Sequence, residues 1–207
     1  MPKEKDVKKK KGSQISLHHR IKLLDKDGKI KYDSGEKKSD SFVKNFMAAL
    51  MNLLSDATII SNIYVDHTGA TVSPLSKASW TGGNIPWTVA ALVTQDDYGI
   101  RVGTGNTPVT VNDIDLDALI EHGTGAGQLS YGAMTWIDYA EVGGNVDLVW
   151  SRVFTNSSGG SIIVAELDMS IFTSAYYITI ARDVLLATVA VGNGEAIVVE
   201  YTWRTAA

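Results

Sequence analysis

The chain has 207 residues, 44% of them hydrophobic and 20% charged, which is enough apolar material for the core of one large domain or two small ones. It contains no cysteine, so a disulfide framework and a thiolate zinc site are both excluded. The formal net charge of −4 hides an asymmetry: residues 1–12 hold six lysines against Glu4 and Asp6, a local +4 that leaves −8 on the remainder.

Residues 1–13, "MPKEKDVKKKKGS", read as a basic extended arm carrying the run Lys8, Lys9, Lys10 and Lys11. A segment so charged has too little apolar surface to fold by itself. It suits an acidic protein surface or nucleic acid. No apolar stretch follows the lysines, so the start does not have the form of an export signal. The longest apolar run, Phe46 to Leu54, is far short of the roughly 20 residues that cross a membrane, and no membrane partner is expected.

The next stretch, "LLDKDGKIKYDSGE" (Leu23 to Glu36), has the aspartates, glycine and glutamate of a calcium loop but not their spacing. Counting from Asp25 puts Glu36 correctly at the twelfth position but Ile30 at the sixth, where the glycine belongs. Counting from Leu23 corrects Gly28 and Ile30 and spoils both ends, with Leu23 first and Ser34 twelfth. The flanks "ISLHHRIKLL" and "KIKYD" are extended in character, and Asp27-Gly28 between them predicts a β-hairpin closed by a type I′ turn. In "SDSFVKNFMAALMNLLSD", Ser39, Asp40 and Ser41 are candidate helix caps. Phe42, Phe46, Leu50 and Leu53, with Val43, Met47 and Leu54, form a wide apolar stripe for a core or a neighbouring subunit. Residues 14–57 are thus expected to be a hairpin plus one α-helix.

From about Thr58 the apolar period becomes two. "AIVVEYTWR" sends Ile197, Val199, Tyr201 and Trp203 to one face, and "NVDLVWSRVF" alternates through Val146, Leu148 and Trp150. "TIISNIYVD", "WTVAALVT", "QLSYGAMTWIDY", "SIIVAELDM" and "YYITIARDVLLATVAV" are further strand candidates, separated by glycine-rich turns. The whole reads as a mainly β chain: an antiparallel β-sandwich or jelly-roll-like body over 58–207, preceded by the hairpin and the helix.

Candidate chemistry is thin. His18 and His19 adjoin in a predicted strand and point to opposite faces, so they cannot share a metal unless the strand bulges. His67 and His122 lie in loop-like stretches without a serine elbow. Asp113, Asp115 and Asp117 in "NDIDLDAL" start like a calcium loop, but Ala118 and Thr124 occupy the glycine and glutamate positions, so they read as solvated carboxylates with Ile114 and Leu116 turned inward. "GTGNTP" and "GTGAGQ" lack the following helix that a phosphate cradle needs, and read as β-turns. Asn156 in "NSS" formally matches a glycosylation sequon, but without an export signal that reading lapses. Of the tryptophans, Trp136, Trp150 and Trp203 fall in strands where burial is expected. Trp80 and Trp87 in "SWTGGNIPW" are the candidates for contact with a ligand. No catalytic residue, cofactor or metal is expected.

"YGIRVGTGNTPVTVNDIDLDALIEHGTGAGQLSYGAMT", "RVFTNSSGGSIIVAELDM" and "ARDVLLATVAVGNGEAIVVEYTWR", in that order over residues 98–204, resemble structural proteins of tailed-bacteriophage virions. The chain departs from that pattern at Glu166-Leu167-Asp168-Met169, where a glutamate followed by a glycine-containing turn is expected, which leaves the end of that strand open. The resemblance implies a non-enzymatic β-sandwich repeated around a symmetry axis in the neck, tail or capsid exterior, assembled in the host cytoplasm. It implies as partners further copies of itself and virion proteins with acidic surfaces, with Lys8–Lys11, Phe42, Phe46, Leu50 and Leu53 as assembly contacts. The alternative is a receptor- or glycan-binding module of a tail fibre using Trp80 and Trp87.

Overall fold

A computed structural model describes residues 14–39, 42–54, 64–73, 88–173 and 175–206. The chain is mainly β, as the alternation predicts. Strand β1 (Gln14–Leu24) lies antiparallel to the last strand, β12 (Ala196–Ala206), from Gln14↔Ala206 to Leu24↔Ala196, and β12 pairs in turn with β9 (Asn145–Thr155). Two short strands, β2 (Ile30–Asp33) and β3 (Lys37–Ser39), extend this sheet beyond β1. At the far side β7 (Ser130–Tyr131) and β8 (Thr135–Val142) share the outer edge of β9. A second antiparallel sheet has the order β11 (Tyr176–Val191), β10 (Ile162–Thr173), β6 (Gly99–Gly103). A small hairpin of β4 (Tyr64–Val65) and β5 (Thr71–Val72) and one helix, α1 (Lys44–Leu54), complete the described elements.

The sheets share one apolar cluster. Leu17, Ile21, Leu23, Ile197, Val199, Tyr201 and Phe154 of the large sheet meet Ile100, Val102, Leu167, Met169, Ile171, Ile178 and Ile180 of the small one. The period of two read in β12 is therefore the pleat of a sandwich layer. Between Val164↔Val189 and Glu166↔Val184 the register shifts, with Ala165 of β10 opposite the four residues Leu185 to Thr188 of β11, and across this irregularity the core-facing parity of β10 changes from Ile162 and Val164 to Leu167, Met169 and Ile171. The strand does not end at Glu166–Met169 but runs to Thr173, and the even positions Glu166, Asp168 and Ser170 turn to its other face.

Local expectations are corrected at three places. The hairpin turn is not type I′: among its residues only Gly28 has positive φ (77°), Gly28 N–H donates to Asp25 O, and Asp25 N–H to Lys29 O. This is a type I turn closed by a glycine bulge, favoured because the Asp25 carboxylate accepts the amides of Asp27 and Lys29. The helix starts at Lys44, and Ser39 is not its cap. Ser39 lies in β3 and donates to the buried Asp183 at 2.9 Å, while Phe42 bridges to Ala181 and Val43 N–H donates to Ile180 O. Asp40 and Ser41 lie outside the described residues. The apolar stripe then closes on the subunit itself: Phe42 and Phe46 stack at 3.9 Å, and both set their edges against Trp203. Asn45 ties the helix to β4 by accepting from Val65 N–H and donating to Val65 O.

The third correction is "WTVAALVT", which forms a single bridge, Thr88 to Phe172, and then a loop. The loop is gathered around Arg152, fully buried in β9, whose five N–H groups each find a carbonyl: Gly132 (2.8 Å), Tyr98 (3.1 Å), Ile100 (2.9 Å), Leu92 (3.2 Å) and Gln95. Its guanidinium also lies 4.8 Å over the Tyr131 ring. Burial pulls the Arg152 pKa down to about 10, which leaves it charged at neutral pH. Thr94, a β-branched residue at φ 76°, sits between the Leu92 and Gln95 carbonyls and is held in that strained conformation by the same guanidinium. Arg152→Met removes five donors from those carbonyls and is expected to cost on the order of 3–5 kcal/mol, read as a lower urea midpoint. An unchanged midpoint would show that the loop holds itself.

Candidate functional site

The second face of the small sheet carries charge. In register across it, Asp168 of β10 has Arg101 of β6 on one side and Arg182 of β11 on the other, and Ser170 faces Thr179. Residues 104–118 and the turn of the β4–β5 hairpin cover this face, so Arg101, Arg182, Glu166 and Asp168 are all buried.

Two hydrogen-bonded groups result. Arg101 donates from Nε to Asp168 Oδ1 at 3.0 Å, from Nη2 to Asp168 Oδ2 and to Asp115 Oδ1 at 2.6 Å, and its Nη atoms lie 3.4 Å from both ring nitrogens of His67. Arg182 donates to Glu166 Oε2 at 2.9 and 2.7 Å, to Asp113 Oδ2 at 2.7 Å and to Thr107 O at 3.2 Å. Glu166 also accepts the backbone amides of Gly105, Asp117 and Ala118. A Cβ at Gly103 would stand 2.5 Å from Glu166 Oε1, so the glycines of "VGTGNT" let the backbone approach a buried carboxylate. Burial acts to lower the Arg101 pKa, and Asp168 with Asp115 more than offsets it, so the net shift is upward.

The aspartate run is corrected accordingly. It forms turns, and its carboxylates are not merely solvated: Asp113 serves Arg182, Asp115 serves Arg101, and Asp117 accepts from the Thr107 hydroxyl. Leu116 is buried, as expected, and Ile114 half-buried.

His67, Ser170 and Asp168 have the composition of a hydrolytic triad, with Ser170 Oγ 3.3 Å from His67 Nε2. The wiring is wrong for it. Ser170 is fully buried and donates to Asp168 at 2.8 Å, and the group facing His67 Nδ1 is the Arg101 guanidinium, where a triad has a carboxylate. Burial first, and Arg101 second, push the His67 pKa down to about 4, which makes it a poor general base. His67, Asp115 and Asp168 also bring one ligand atom each within 4.8 Å of one another. Their shared centre is filled by Arg101 Nη2, so a metal ion would have to displace a buried, fully bonded cation.

The other sequence candidates are scattered. His18 and His19 do face opposite ways: His18 Nδ1 is 3.1 Å from Glu36 on the outer face, and His19 Nδ1 is 3.8 Å from Asp183 inside, where Asp183 also accepts from Tyr201. His122 Nδ1 accepts Tyr131 N–H. Asn156 is fully buried and donates to Gly160 O and Val191 O, a geometry with no room for a glycan. Leu50 is half-buried, Phe46 is buried, and Met47 and Met51 are exposed apolar residues of the helix. Trp150 and Trp203 are partly buried. Trp136, set edge-on to Trp150 at 4.8 Å, is 52% exposed, contrary to the expected burial, because it lies on the outer strand of the sheet. Trp80, Trp87 and Lys8–Lys11 lie outside the described residues, as does the Leu53 side chain. Among the described residues no helix is long and apolar enough to cross a membrane.

The charged face itself was not anticipated. Its trace in the sequence is charge at mid-strand: Arg101 in "IRVG", Glu166 and Asp168 in "AELD", and Arg182 in "ARDV", acidic in the central strand with an arginine in each neighbour. Comparison with protein-family models, with curated proteins and with solved structures finds no match.

Because the His67 pKa is lower folded than unfolded, the unfolded chain takes up a proton between about pH 6.5 and 4 that the folded chain refuses. Stability therefore falls as pH drops through that window and levels off below it, by roughly 3 kcal/mol at most for this residue. His67→Gln should flatten the pH dependence of the urea midpoint over that range. Arg101→Met should cost on the order of 3–5 kcal/mol at pH 7 through the uncompensated Asp168.

Proposed function

We propose that the chain is a non-enzymatic structural protein of a tailed-phage particle, present in repeated copies in the neck, tail or capsid exterior and assembled in the host cytoplasm. The observation that carries this reading is the use of the charged cluster: its histidine, serine, carboxylates and arginines are bonded to one another and hold loops down, which leaves no group free to act on a substrate. The ordered resemblance over residues 98–204 supports it, because the residues that carry it build this scaffold: "VGTGNT" cradles Glu166, "HG" precedes the turn to Tyr131, and "TNSSGG" holds Asn156. A lysine-rich arm on an acidic body suits copies, or virion proteins, that present acidic surfaces to one another. The helix contributes to contacts through Met47 and Met51.

Electron microscopy of the particle with labelled protein should place it at repeated positions. Deleting Lys3 to Lys11 should weaken attachment most at low salt and leave the melting temperature of the body unchanged. A protein that never joins a particle and turns over a glycan or an ester would overturn the reading.

A further inference from the structure

The two edges of the large sheet are built on different rules. One edge consists of the short strands β2 and β3, of four and three residues, and carries Lys31, Lys37 and Lys38. Short, lysine-bearing edges resist pairing with another chain. The other edge is β8, eight residues long, "TWIDYAEV", with no lysine and no proline. Its Trp136, Ile137 and Tyr139 are 52%, 50% and 71% exposed. Among the described residues β8 pairs with β9 alone, and none of its backbone groups is hydrogen-bonded on the far side. A row of free amides and carbonyls beside large apolar side chains is a surface shaped for one more strand.

We propose that β8 pairs antiparallel with β8 of a second copy about a two-fold axis at Tyr139. An isologous strand pair of this kind sets residues of equal parity opposite each other. Centring it on Asp138 or on Glu141 brings identical carboxylates face to face, which is destabilising. Centring it on Ala140 places only methyl groups at the axis. Centring it on Tyr139 puts the most exposed ring of the strand against its own copy and sets Asp138 opposite Ala140, so no carboxylate opposes another. The register shift at Ile137 leaves Asp138, Tyr139 and Ala140 regular on both copies, with Ile137 and Glu141 opposed at the two ends of that stretch. Val146, 38% exposed and opposite Glu141 in β9, widens the apolar margin on the same face as Tyr139. The second copy follows from the repeated-copy reading above; the pairing itself does not depend on the virion.

The absence of cysteine makes the test direct. Directly opposed residues of an antiparallel pair have Cα atoms about 4.5–5.5 Å apart, within disulfide range. With oxidised glutathione, reduced as the thiols are oxidised, Tyr139→Cys should give a disulfide-linked dimer, and Lys31→Cys at the opposite edge should not. By sedimentation the unmodified protein should show a dimer, and Tyr139→Lys, at a position exposed enough to spare the fold, should weaken it about tenfold or more with an unchanged melting temperature. A monomer at all concentrations, a dimer indifferent to Tyr139→Lys, or linkage that appears only on removing residues 1–13, which would make the arm the occupant, would each overturn the proposal. A β8 dimer that never enters a particle would sink the virion reading and leave the pairing intact; a particle that incorporates Tyr139→Lys normally would do the reverse for its role in assembly.

Discussion

The burial of Glu166 and Asp168 in a strand covered on both faces is the constraint from which the body follows. Neither carboxylate is accessible to water, and an unpaired charge there would cost several kcal/mol. Each is met by an arginine from a neighbouring strand, and the arginines in turn draw Asp113 and Asp115 over the sheet. The loop that covers the face is thus positioned by the charges it hides. Buried ion pairs add little net stability against apolar replacements, but they penalise alternatives severely. If β10 slipped by one residue, Glu166 and Asp168 would enter the apolar core and Leu167 and Met169 would face the arginines. The network fixes register in a sheet whose two faces are otherwise both buried.

Arg152 plays the corresponding part on the large sheet with carbonyls in place of carboxylates. A loop pressed against a sheet has carbonyls turned away from water, and a single guanidinium supplies five donors to them and to the neighbouring strand. Both devices place polar chemistry where enzymes keep theirs and bind it fully into the architecture. Ser170 and His67 illustrate this: the distance between them suits catalysis, and the charges around them oppose it.

How much of this could be read in advance depended on range. The alternation of Ile197, Val199 and Tyr201, the opposed histidines of β1 and the amphipathic helix are local patterns, and each has its expected consequence in the fold. The turn at Asp25–Lys29 was visible as a turn but not as its type, because the carboxylate of Asp25 decides between near-equal geometries. The start of the helix was misplaced because Ser39 finds Asp183, 144 positions away, a better partner than a helix amide. The same holds for the aspartate run, whose role is set by arginines on two distant strands. Trp136 reads as buried from its strand alone, and its exposure follows only from that strand's place at the sheet edge.

The pairing within the covered charged face bears on where the molecule can act. With the charged groups of the covered face tied to one another, and with the loops above it fixed by them, ligand chemistry finds no free group among the described residues of that face. At the periphery lie the unpaired outer backbone of β8 and the apolar side chains along it. The β2–β3 edge of the same sheet shows how such exposure is suppressed, by shortness and by lysine, so β8 could have been blunted in the same way. That one edge is guarded and the other is not is most simply understood if the unguarded edge is covered when the protein works. The rigidity imposed by the arginines then has a purpose, since a strand can present a fixed register to another chain only when the sheet behind it cannot slip.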